Sequence, residues 1–298
     1  MEVLIVIPQT FKKFSENPNM MSYDRLLSLL HRHDTPADEL VGRRLIAGQG
    51  LDDMQVDHAW YVSTSRGLIN EFAHWRAARK ERYANRALCH KHRPENILIS
   101  VPEQQVDGAY TADLLLHERN ELMLDHLTGQ HIQGMVLTEA CRQMFLAVTE
   151  RYCLDDHPAV KHYFVINSMN ARYQAFALPL PAQIQYRVID QQQPKPERIS
   201  IHADMDVLQA GQVVAGMEVK FTVFDDAYIT RRESKLAAEA VSNYVNRLRS
   251  ELTGWSESLQ IGVTTMVAVQ TPSSVLLQAN HPPRTVHETR REPVTLGT

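Results

Sequence analysis

A chain of 298 residues that is 44% hydrophobic and 22% charged has the composition of a globular protein, with room for one large or two modest domains. Its formal net charge of −4 lacks the basic excess of a general nucleic-acid binder, and no apolar run approaches the roughly 20 residues of a membrane span. Three cysteines, Cys89, Cys141 and Cys153, make no disulfide framework; Cys141 and Cys153, on or just after a buried helix, read as small hydrophobes, and together these suggest a reducing cytoplasm.

The opening, Met1 to Phe11, is apolar. It has neither a basic n-region nor a small-residue cleavage site, so it does not read as a signal peptide. Residues 1–88 read as mostly helical. Ser22 is placed to cap a helix carrying Leu26, Leu27, Leu29 and Leu30. Thr35-Pro36-Ala37-Asp38 looks like a second start, with Thr as N-cap, Pro at the first helical position and an acid at the third. A third pattern runs from Ser65 to Arg86, with Leu68, Ile69, Phe72, Trp75 and Ala78 at helical spacing. Its basic tail, Arg76 to Arg86, fits a solvated face or a docking patch for an acidic carrier protein. The pairs His31/His33 and His90/His92 have no further ligands at metal spacing, so neither a metal nor a cofactor is expected.

From His90 the period changes. Asn96 to Val101 and Ala109 to His117 predict short strands. Asp125 to Gly134 is polar, with two glycines and two histidines, as a loop should be. Met135 to Tyr152 lacks Pro and Gly and predicts a helix of roughly 27 Å. Its apolar residues go nearly all the way round, so it should be buried on most sides. Yet Glu139, Arg142 and Gln143 share one face near its start, and a buried carboxylate and guanidinium need a reason.

Tyr163 to Ala177 predicts a long strand with a bend near Asn170. Gln183 to Asp190, Ile199 to Val207 and Met217 to Phe224 alternate cleanly, the last two around a turn at Gln209-Ala210-Gly211-Gln212. A buried helix followed by antiparallel strands with one apolar face predicts an α+β fold, a sheet curled around the helix. Glu233 to Leu252 predicts an amphipathic helix. Beyond Gly254 the signal fades, and residues 270–298, rich in Thr, Pro, Ser and Arg, predict a mobile tail.

The loop and helix start resemble the A-factor biosynthesis hotdog family (AfsA-type). The residues that carry the resemblance are Asp125, His126, His131, Gly134, Met135, Val136, Leu137, Glu139, Ala140, Arg142 and Gln143, and it covers about residues 89–228. More distantly the run is similar to the hotdog β-hydroxyacyl-carrier dehydratases. The resemblance implies a hotdog fold, an antiparallel sheet wrapped around a long central helix. Helical additions at 1–88 and 229–253 and a tail from 254 would flank it. It also implies chemistry on acyl thioesters carried by coenzyme A or acyl carrier protein. Family members look like transferases that move a β-ketoacyl group from acyl carrier protein to the hydroxyl of dihydroxyacetone phosphate, towards butyrolactone signals. In that scheme Glu139 deprotonates the attacking hydroxyl and Arg142 holds the acceptor's phosphate.

The physics of the residues is compatible. The start of a buried helix offers N–H groups and a positive dipole end, so the amide of Gly134 or Met135 is the expected oxyanion donor. Burial should raise the pKa of Glu139 towards the range of a general base while Arg142 pulls it back. His126 or His131 could serve as a second acid or base. Gln143 is a substrate-binding candidate at the same site or, structurally, a hydrogen-bond partner for the loop. Family members commonly hold two hotdog repeats in one chain. Only one is visible here, which predicts a homodimer, and Gln133 stands where the family often has Pro. The alternative activities are a dehydratase or thioesterase on the same scaffold, or a non-catalytic acyl-ligand binder.

Overall fold

The computed structural model describes residues 2–32, 39–77, 83–124, 127–154, 162–195 and 198–268. They fall into two units, Met1–Arg232 and Glu233–Thr298. In the first, strand β1 (Glu2–Ile7) lies between β2 (Met20–Ser22) and β3 (Arg43–Ala47), all parallel. Helix α1 (Tyr23–His31) starts at Ser22, whose hydroxyl accepts from the Arg25 amide. Helix α2 (Asp53–Ser65) starts at a reciprocal capping box between Asp52 and Gln55. Leu4, Val6, Leu26, Leu30, Leu45, Val56, Phe72 and Trp75 close a core between this sheet and its helices.

The expectation that residues 1–88 are mostly helical is therefore corrected. Parallel strands covered on both faces read as unbroken apolar runs, with no alternation to mark them. Leu4 and Val6 of β1 face the helices, while Ile7 joins a second core. The pattern from Ser65 onward does not continue as a helix: α2 ends at Ser65, Gly67 takes a positive φ, and Leu68 to Ala77 are turns that still bury Leu68, Phe72 and Trp75. The predicted start at Thr35–Asp38 and the middle of the basic tail, 78–82, lie outside the described residues.

The second core belongs to a six-stranded antiparallel sheet of order β4-β5-β7-β8-β9-β6. Its first strands are β4 (Glu103–Gln104) and β5 (Tyr110–Leu114), followed by the short helix α3 (Glu121–Leu124) and the long helix α4 (Gly134–Val148). The strands β6 (His162–Tyr173), β7 (Ala182–Lys195), β8 (Arg198–Gln209) and β9 (Gln212–Asp225) complete it. Asn96 to Val101 makes only isolated bridges, Ile99 to Leu114 and Ser100 to Tyr83, rather than a strand. The bend in β6 comes at Asn167, where the register with β9 slips, not at Asn170. Ala210 and Gly211 both have positive φ, the conformation a two-residue hairpin turn requires between β8 and β9.

Helix α4 continues through a π turn at Thr149–Cys153, with Thr149 Oγ1 donating to the Phe145 carbonyl. It packs on the apolar face of the sheet. Val136, Ala140, Met144, Phe145 and Val148 share one core with Ile184, Tyr186, Ala203, Met205, Val219 and Phe221, and the Phe145 and Phe221 rings stack at 4.6 Å. This is the hotdog arrangement that the apolar circumference of the helix called for. Ile7, Phe11 and Phe14 from the N-terminal segment enter the same core, so the unit runs to Arg232 without a boundary near residue 89.

Helix α5 (Asp226–Ala268) extends well past Leu252, where the sequence signal weakens at Gly254. Residues 269–298, read as a mobile tail, lie outside the described residues. Among the described residues no helix is long and apolar enough to cross a membrane.

Candidate functional site

The loop before α4 is held at both ends. Thr128 Oγ1 accepts from the amides of Gln130 and His131 and donates to the His131 carbonyl at 2.6 Å. The Gly129 carbonyl accepts from the Phe14 amide, and the Ile132 amide donates to the Ala177 carbonyl. The helix then opens at Gly134 with no side-chain cap, and the Val136 and Leu137 amides donate to the Gln133 carbonyl. The amides of Gly134 and Met135 precede these donors, among the N–H groups at a helix start that have no intrahelical partner.

A Cβ at Gly134 would meet the Tyr173 ring at 2.8 Å, so the glycine makes room for an aromatic ring from β6. The Tyr173 hydroxyl lies 2.6 Å from Thr138 Oγ1 and 3.2 Å from the Gly134 carbonyl oxygen. His131 is half-buried, and its ring lies 4.6 Å from that of Phe176. Met135, Tyr173 and Phe176 are exposed around the helix start. His126 and Asp125 lie outside the described residues.

One turn further on, Glu139 is the centre of a cluster. Arg142 donates to it twice, Nε to Oε2 at 2.7 Å and Nη2 to Oε1 at 3.0 Å. Lys91 Nζ lies 2.7 Å from Oε1, and Gln143 Nε2 donates to the same oxygen at 3.0 Å. The side chains of Glu139, Arg142 and Lys91 are 15%, 26% and 23% exposed, so the cluster is shielded but reachable. Burial alone would push the Glu139 carboxyl up. The hydrogen bonds from Arg142, Lys91 and Gln143, with the charge of Arg142, outweigh it, and the net shift is downward. The expected rise towards a neutral-range base is therefore corrected: Glu139 is a firmly ionised carboxylate that anchors two cations.

Gln143 is fully buried. Its amide nitrogen donates to Glu139 and to the Asn96 carbonyl, and its oxygen accepts from the Leu98 amide. Both of its N–H groups are used within the protein, so it positions Glu139 and ties α4 to residues 96–98 instead of holding a substrate. Lys91 is the residue that sequence reasoning missed. It sits inside His90-Lys91-His92, which drew attention only as a histidine pair, and 48 positions separate it from its partner Glu139. His90 itself meets Glu150 at 3.2 Å and the edge of Phe164. Among the described residues no group of His, Cys, Asp and Glu could hold a metal ion. Burial pushes the thiols of Cys89 and Cys141 up to about 12, in keeping with inert cysteines.

A cavity of about 390 Å³ opens elsewhere, between the N-terminal sheet and the end of β5. Ile5, Ile46, Gln49, Leu114, Leu116 and Leu180 line it, and no residue of the Glu139 cluster does.

A family model described as the A-factor biosynthesis hotdog domain matches residues 73–225. Among solved structures the chain is similar to a mutant thioesterase from Pseudomonas aeruginosa, at 15% identity over 43% of this chain and 81% of that one, with a TM-score of 0.33. It is similar to a putative thioesterase from Ralstonia eutropha JMP134, described as phenylacetic acid degradation-related, at 15% identity over 42% and 83%, TM-score 0.30. A putative thioesterase from Shewanella oneidensis shares 17% identity over 46% and 92%, TM-score 0.34. No curated protein matches the chain.

Proposed function

The chain belongs to the A-factor biosynthesis hotdog family, and from that premise we propose that it takes an acyl group, of the β-ketoacyl kind, from a carrier thioester and transfers it to a phosphorylated acceptor. The observation that carries this reading is the Glu139 cluster. Two cations, Arg142 and Lys91, share one carboxylate, which leaves one positive charge over in a shielded site. Such a site suits an anionic group, and the planar fork of Arg142 suits a phosphate. The thioester carbonyl would rest against the amides of Gly134 and Met135, where the helix dipole favours developing negative charge. The phosphate would belong to dihydroxyacetone phosphate as acceptor, and the carrier would be acyl carrier protein or coenzyme A. In this reading Glu139 orients the cations first and takes a proton only when the phosphate draws Arg142 or Lys91 away. A second copy of the chain would cover the exposed Met135, Tyr173 and Phe176 and complete the site.

One feature favours a second reading, a non-catalytic acyl-ligand binder: a carboxylate already bonded by three side chains and shifted downward is a poor general base. Arg142→Lys separates the readings, because it keeps the charge and loses the fork. For a transferase the acceptor KM rises about tenfold or more, the loss of roughly one charge-assisted hydrogen bond, while hydrolysis of the thioester without acceptor stays at the parental rate. An acceptor KM equal to the parent's would sink the phosphate role.

A further inference from the structure

From Glu233 onward the described chain is one helix, the later part of α5. Among its apolar residues, Ala237, Val241 and Tyr244, then Leu248, Leu252 and Trp255, and in the sequence again Leu259, Val263 and Met266, recur at one spacing, with Leu236 and Val245 beside them. That is an eleven-residue repeat carried three times. A seven-residue seam through Val241, Tyr244 and Leu248 would instead take in Glu251, Ser258, Gly262 and Thr265. An eleven-residue period spans three helical turns and keeps one stripe in line along helices packed side by side, with a right-handed supercoil.

The stripe needs a cover. Val241, Tyr244, Leu252 and Trp255 are 61%, 54%, 64% and 73% exposed. Helices draw most of their stability from burying such a face, not from propensity. The charges beside the stripe narrow the choice of cover. Lys235 pairs with Glu239 at 3.9 Å and Arg247 with Glu251 at 3.5 Å along the helix itself. Over residues 233–268, Lys235, Arg247 and Arg249 are balanced by Glu233, Glu239, Glu251 and Glu257. A helix so nearly neutral has no basic face for anionic lipid or nucleic acid, and no excess charge to draw a strongly charged partner. A second copy needs no such charge, because identical repeats match layer for layer. The stripe side chains from Ala237 to Trp255 on the two helices would together bury on the order of 1,000 Å², enough for a specific interface.

We propose that residues 233–268 pair along this stripe with the same segment of a second copy of the chain. This pairing rests on α5 alone and does not depend on the α4 site or on its chemistry. Leu252 is the fifth of the nine stripe positions, so it meets its own counterpart whichever way the two helices run. The test places Leu252→Cys in the full-length chain, with Ser250→Cys on the opposite face as control, and follows disulfide-linked dimers under mild oxidation. The expected result is a covalent dimer from Leu252→Cys, little from Ser250→Cys or the parent, and loss of the dimer when Val241→Asp and Leu248→Asp are added. Asn246→Asp, on the far face, should leave it intact. Equal cross-linking at 252 and 250, or a dimer that survives Val241→Asp and Leu248→Asp, would overturn the pairing.

Discussion

Glu139 shows how opposed effects are settled by their number. Desolvation raises its pKa, and hydrogen bonds from two cations and an amide lower it further than burial lifts it. A carboxyl whose folded pKa lies below its unfolded value contributes stability above the unfolded pKa and loses it as pH falls through the folded one. Its contribution is thus present at neutral pH and disappears only on the acid side of the ordinary carboxylate range. Glu139→Gln should destabilise the protein by about 1–3 kcal/mol at pH 7, the cost of leaving partners of a charged hydrogen bond unmet. The gap between variant and parent should close as pH falls below 4 or so, roughly the unperturbed range of a carboxyl. Urea melts at several pH values measure it, and a gap that widens in acid would contradict the assignment. Gly134 offers a second contest. Alanine gains up to about 1 kcal/mol of helix propensity, but its Cβ would enter the Tyr173 ring, and overpacking costs about 1–3 kcal/mol. Gly134→Ala should therefore destabilise the parent yet be neutral or better in a Tyr173→Ser background. Equal effects in both backgrounds would mean the ring is not the constraint.

At the scale of elements, legibility followed burial. Helix α4 declared itself through Val136, Ala140, Phe145 and their neighbours, because a helix buried all round has no polar face to hide it. Strands β7, β8 and β9 were legible because each is apolar on one face only. Strand β1 was not, since a short apolar run has the same look in a strand as in a buried helix, and β3 has only Leu45, Ile46 and Ala47 after two arginines, too few to show a period. Lys91 was hidden for another reason: a long-range ion pair leaves no periodic trace. The β8–β9 turn was found, but its strain was not visible. Ala210 sits at φ 49°, a region where a Cβ costs roughly 1–2 kcal/mol. Asn tolerates that conformation and Asn-Gly is the preferred pair for such turns, so Ala210→Asn should stabilise by up to about 1 kcal/mol. A thermal melt unchanged or lowered would show that the neighbouring strands already absorb the strain.

For the molecule as a whole, the N-terminal layer is part of the hotdog unit, not an appendage to it. Ile7, Phe11 and Phe14 join the same core as α4, and the Phe14 amide donates to the loop that leads to Gly134. Gln49 reaches across to bond the Leu114 carbonyl and the Leu116 amide. The helix start where a thioester would bind is thus positioned from both sides, by β6 through Tyr173 and by the N-terminal segment through Gly129. Membership of the hotdog family and the leftover charge at Glu139 are the two supports of the proposed acyl transfer onto a phosphorylated acceptor. The most direct measurement is the mass of the products after incubating the full-length protein with a panel of β-ketoacyl-carrier thioesters, with and without dihydroxyacetone phosphate. The account predicts that the acyl mass moves from the carrier to the acceptor when the acceptor is present, and that without it the carrier loses its acyl group only by slow hydrolysis. Carrier thioesters that stay intact with the acceptor present, or that yield only free acid, would contradict it.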